Sequence, residues 1–64
     1  MLDTKKIKEL REALGWTQRK LSIESGITIG TISKIENGYH TVTNDTTEKL
    51  AIALHVRPAE LLKG

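Results

Sequence analysis

The chain has no cysteine, no phenylalanine and a single proline. Without cysteine, neither a disulfide nor a thiolate metal site can staple so small a fold. Helix packing must hold it, with or without the help of a partner subunit. No apolar run approaches the roughly 20 residues that a membrane span needs. The opening "MLDTKKIKEL" lacks the apolar stretch of a signal peptide. A cytoplasmic protein is the default expectation. Strand-like alternation is missing over any useful length, and so are internal repeats, low-complexity tracts and an internal linker.

What is present is short and mildly basic. The 64 residues make one small domain, residues 1–64, with a formal net charge of +2. A chain of this length buries only about 60% of its unfolded surface, so its stability alone is marginal. The charge permits a nucleic-acid partner without requiring one.

Helical spacing broken by turn residues organises the chain. Ile7, Leu10 and Leu14 fall on one face of a first helix, which Asp3 or Thr4 can cap and Gly15 can end. Thr17 to Ser25 predicts a second helix with Thr17 as N-cap and Leu21 facing inward; Gly26 then supplies a left-handed turn. Thr28 caps a third helix that reaches about Glu36, with Ile32 and Ile35 inward. A polar loop, "ENGYHTVTNDT", follows. Thr46 or Asp45 starts a fourth helix carrying Leu50, Ala53 and Leu54. Pro58 opens a last short helix with Leu61 and Leu62. The expected shared core is Ile7, Leu10, Leu14, Leu21, Ile27, Ile32, Ile35, Leu50, Leu54 and Leu61.

Only "GIT" joins the second and third helices. So short a connection forces a sharp crossing, the helix-turn-helix geometry, over about residues 17–37. One helix can then cross the DNA backbone while the next enters the major groove, whose width admits it. Taken alone, the corner is also found in many all-helical domains with no nucleic-acid partner.

The stretch "LGWTQRKLSIESGITIGTISKIENG", followed by "LAIALHVRPAELL", resembles the phage repressor and Cro family of helix-turn-helix proteins. This is the xenobiotic-response-element-like group of bacterial and phage regulators. The resemblance runs from about Ile7 to Leu62. It rests on "TQ" opening the second helix, "ISKIENG" closing the third, and the "AxALxVxxxELL" pattern near the end. It implies an all-α, five-helix bundle of the lambda-repressor-like type that binds DNA, usually as a dimer on a two-fold operator. It departs from the family pattern in three places. No proline follows "ENG", His55 stands where Gly or Asn usually ends the fourth helix, and Thr47 occupies a usually apolar position. The closing "ELLKG" stands where the domain of this family ends, in a chain of its own or in a longer protein.

At about 100° per residue, a buried face centred between Ile32 and Ile35 puts Gly30, Ser33, Lys34 and Asn37 on the outward side, with Ile29 and Thr31 on its borders. The family presents this side to base edges. The base-facing set is therefore Thr28, Ile29, Gly30, Thr31 and Lys34. Lys34 is the long donor of the set and can reach a guanine O6 and N7; the alternative is a solvated surface lysine. Ile29 either closes the core edge or meets a thymine methyl. Gly30 inside a helix costs about 1 kcal/mol relative to alanine. It either lets the backbone approach DNA closely or marks an unused position.

The phosphate set is Thr17, Gln18, Ser33, Asn37, Tyr39 and His40. Gln18, at a helix start, can add its amide to favourable N–H groups and partial charge. Thr17 is a cap first and a phosphate donor second. The resemblance lays the Asn37–His40 loop along the backbone of the same half-site. The alternative for Tyr39 is a partly buried anchor, and for His40 an exposed loop histidine of no special role. At matching positions the family often pairs an arginine of the first helix with the glutamate of "ENG", here Arg11 and Glu36. The alternative is two exposed charges contributing roughly 0–1 kcal/mol.

Nothing in the sequence points to an enzyme: there is no nucleophile–base–acid set, no metal-ligand cluster and no phosphate-cradling glycine loop. No cofactor or metal is expected, and His55 is too isolated to suggest one. The expected function is a sequence-specific, double-stranded-DNA-binding transcriptional regulator, a repressor, acting as a homodimer at least on DNA. The alternative is a protein-interaction module of the same fold, antitoxin-like or coactivator-like, using apolar residues such as Val56, Leu61 and Leu62.

Overall fold

The computed structural model describes residues 1–63 and is all-helical, with four α-helices and a 3-10 helix. The α-helices are α1 (Thr4–Ala13), α2 (Gln18–Ser25), α3 (Ile29–Glu36) and α4 (Asn44–Leu54). Each starts on a side chain that accepts from an orphan N–H of its first turn, which helix geometry leaves unpaired. Asp3 accepts from Lys6, Thr17 from Lys20, Thr28 from Thr31 and Thr43 from Thr46. The last of these corrects the expected start of α4. Thr43, upstream of Asp45 and Thr46, is the cap, and its hydroxyl also pairs with that of Thr46.

Three helices end in one closing turn. In each, an amide just past the helix donates to the carbonyl five residues back: Trp16 to Arg11, Tyr39 to Lys34 and Val56 to Ala51. The turn needs a left-handed residue before that amide. Gly15 and Gly38 supply it freely, but after α4 the position is His55, at φ +60°. The departure seen in the sequence is thus real: His55 adopts the conformation that its neighbours assign to glycine.

The α2–α3 corner packs those two helices on each other; α1 lies against α3, and α4 against α2 and α1. Ile27 is buried at the corner as expected, and Ser22 and Ser25 bond its carbonyl and amide. The core holds Leu2, Ile7, Leu21, Ile27, Ile32, Ile35, Leu50, Ala51, Ala53, Leu54 and Leu61. Leu10, Trp16, Val42 and Val56 pack against it. Leu14 is a correction: it is 40% exposed. It lies past the last residue of α1, where the chain turns at Gly15 and Trp16 comes down onto the core instead. Thr47 is buried at its usually apolar position, with its hydroxyl donating to the Thr43 carbonyl. The loop without proline is pinned by Val42.

Pro58 does open a helix, but a 3-10 helix of four residues, Pro58–Leu61, packed on α4 and α1. Leu62 turns extended and forms an antiparallel bridge with Leu2. Asp3 N–H donates to the Leu61 carbonyl and Lys63 N–H to that of Met1, both at 2.7 Å. This pairing stops the helix, leaves Leu62 exposed and buries Leu2. Among the described residues no helix is long and apolar enough to cross a membrane.

Candidate nucleic-acid interface

Helix α3 turns one side inward and the other outward. Ile32 and Ile35 are fully buried and fix its rotation. Ile29, Gly30, Lys34 and Asn37 are exposed on the other side, and Thr31 and Ser33 are half-buried. Ile29, 48% exposed, does not close the core. No atom lies within 4 Å of where a Cβ on Gly30 would stand. Lys34 enters no ion pair among the described residues. Thr28 and Thr31 are tied to each other, with hydroxyls 2.9 Å apart.

The phosphate set divides. Thr17 is exposed and spends one lone pair on the Lys20 amide. Tyr39 is 54% exposed, and His40 is exposed beside it. Neither has a side-chain hydrogen bond to another candidate residue. Gln18 is half-buried and engaged: its Nε2 donates to Glu36 Oε1 at 3.2 Å.

Arg11 and Glu36 form the brace. Arg11 Nε and Nη2 donate to the two carboxylate oxygens at 2.7 and 2.8 Å, and Nη1 donates to the Trp16 carbonyl at 2.6 Å. The side chains are 10% and 3% exposed. That places the pair in the buried class, where losing one partner costs about 3–5 kcal/mol, well above a surface pair. The hydrogen bonds that Arg11 donates to Glu36 raise its pKa; burial opposes them, and the charges of Glu36 and Glu12 add to them. For Glu36, burial acts to raise the pKa, and the bonds from Arg11 and Gln18 with the charges of Arg11 and Lys8 outweigh it. Its carboxyl is held below the ordinary value of 4.5. The brace ties α1 to the end of α3 and the start of α2.

Three features were not read from the sequence. One is the Gln18–Glu36 bond, which links positions far apart in the chain. Another is Lys8, exposed one turn before Arg11 on α1, whose charge acts on Glu36. The three-residue spacing from Arg11 is the signal that would have found it. The last is Trp16, which meets His55 in a T-shaped pair with ring centroids 6.4 Å apart and carries Lys20 Nζ 5.8 Å from its ring centroid. Among the described residues no three His, Asp or Glu side chains converge as a metal site would need.

Two comparisons match this arrangement. A helix-turn-helix family model covers residues 7–61. The chain belongs to that family, the phage repressor and Cro type. The family is one of DNA-binding regulators, not of enzymes, and the chain has its DNA-binding transcription-regulator fold. It is also similar to a solved structure, the restriction-modification controller protein C.AhdI from Aeromonas hydrophila. The two are 34% identical with a TM-score of 0.86, over 92% of this chain and 89% of that one. No curated protein matches the sequence.

Proposed function

We propose that the chain is a sequence-specific, double-stranded-DNA-binding transcriptional repressor of the cytoplasm. Residues 1–64 act as one DNA-binding domain, the bundle carries α3 into the major groove, and two copies sit on a two-fold operator. The observation that carries this reading is the exposed side of α3, with Lys34 unpaired and Ile29 and Gly30 open, on a helix whose rotation the core and the Arg11–Glu36 brace fix. A rigid helix face with a free long donor suits direct base readout. Thr28, Ile29, Gly30, Thr31 and Lys34 face the bases; Thr17, Gln18, Ser33, Asn37, Tyr39 and His40 meet the phosphates. The exposed cations Lys8 and Arg19 widen that phosphate set, since neutral donors alone release no counterions. Similarity to a controller protein supports a regulatory role. Repression follows when the bound site overlaps a promoter.

The rival is the protein-interaction module, which the exposed Ile23 and Ile52 on α2 and α4 favour. Leu61 does not serve it, because it is core. Selection from random-sequence duplex DNA separates the two. A recovered two-fold sequence, with half-sites about one helical turn apart, is the expected result. Retention only as salt-sensitive background overturns the regulator in favour of the module.

A further inference from the structure

We infer that Glu36, besides bracing Arg11, is a positioning residue that fixes the Gln18 amide for its contact with a DNA phosphate. The inference rests on the proposed DNA-binding reading and names a device within it.

Glu36 is an acceptor, so the group it meets on Gln18 has to be the NH2. The bond at 3.2 Å therefore sets which way round the amide stands. One Nε2–H is used inside. The second Nε2–H and Oε1 have no protein partner, and no side-chain polar atom of the described residues is buried without one. Oε1 is thus not buried, and the second Nε2–H is free of protein partners on a half-buried residue at the start of α2. A phosphate oxygen, also an acceptor, can take the remaining N–H.

Charge makes Glu36 tolerable there. A bare carboxylate one side chain from DNA repels it. Here both carboxylate oxygens are covered by Arg11, and the neutral amide stands between Glu36 and the outside. Glutamine normally loses rotamer freedom when it is immobilised at an interface. Gln18 has already lost part of it in the free protein, so the contact is preorganised.

The test compares four proteins on the duplex that the wild type selects: wild type, Gln18→Ala, the double variant Arg11→Met/Glu36→Met, and the triple variant. The double variant removes both charges together, so it leaves no unpaired buried ion and no change in net charge. Gln18→Ala is expected to weaken wild-type binding about fivefold, within the range of one hydrogen bond, and to weaken the double variant less than twofold. An equal loss in both backgrounds overturns the inference, because Gln18 would then act without Glu36. No loss in the wild-type background also overturns it and leaves the regulator reading intact. A wild type that selects no duplex overturns both. Should the double variant fail to fold, NMR of the wild type decides. One Gln18 side-chain amide proton should be shifted and slow to exchange in the free protein, and the other should move on adding DNA. Two free-glutamine-like signals overturn the inference.

Discussion

Gly30 lies in the first turn of α3 at an ordinary helical φ, with open space where a Cβ would stand. Nothing inside the protein requires glycine there, so either a partner approaches the backbone at this point or the position is unused. Gly30→Ala is expected to stabilise the free protein by up to about 1 kcal/mol, a rise of roughly 4–8 °C in Tm for a domain of this size. If the backbone approaches DNA at this point, the same methyl weakens operator binding. Thermal melts paired with DNA titration check both halves. A higher Tm at unchanged affinity would make Gly30 an unused position. Lys34, free of protein partners on the same side, is the proposed base reader. Lys34→Ala should relax preference at one base pair per half-site by about 1–3 kcal/mol and lessen the salt dependence. Uniform weakening across a panel of duplexes would instead assign it to phosphate.

At the scale of helices, caps and turns were the legible part. Asp3, Thr17 and Thr28 cap where their side chains suggested, and Gly26 takes the left-handed corner at φ +75°. These are local choices, set by a residue and its next three. What failed depended on distant partners. Leu14 has the right spacing for the core but lies at the C-cap of α1, where the chain turns and Trp16 packs on the core instead. Leu2 has no helical pattern and is buried by its bridge to Leu62. The fifth helix is cut to a 3-10 turn by that same bridge. In the site, the outward side of α3 followed from Ile32 and Ile35 alone, whereas the Gln18–Glu36 bond joins two helices and leaves no sequence signal. His55 tests the local part. A non-glycine residue in the left-handed region costs about 1–2 kcal/mol, against which stands its edge contact with Trp16. His55→Gly should therefore raise stability by roughly 0.5–1 kcal/mol, after the extra chain entropy of glycine, as read by urea unfolding. A loss would mean that the Trp16 contact outweighs the backbone strain.

For the whole molecule, acid is the first lever. The folded Glu36 pKa lies below 4.5. A lowered folded value means stability that is complete above the unfolded pKa and is lost as pH falls through the folded one. Melts taken downward from about pH 6 should show Tm falling below about pH 4.5, and the Arg11→Met/Glu36→Met variant should fall less over that window. Parallel curves would show that other carboxylates drive the acid loss. The second lever is assembly. In the proposed reading, one short α3 offers little contact, so we expect two copies whose joined half-sites multiply each other. Ile52 is 76% exposed on α4, while its neighbours Leu50, Ala51, Ala53 and Leu54 all face the core. It is the residue we expect at the seam between copies. Ile52→Lys should leave stability within about 0.5 kcal/mol of wild type, as for other surface changes. It should leave binding to a duplex with one half-site unchanged. Binding to the two-half-site duplex should drop by about a hundredfold, the lower end of avidity gains. Footprinting and sedimentation on the two duplexes read this directly. Full affinity in the variant would place the seam elsewhere, and a wild-type footprint over one half-site at saturation would sink the dimer.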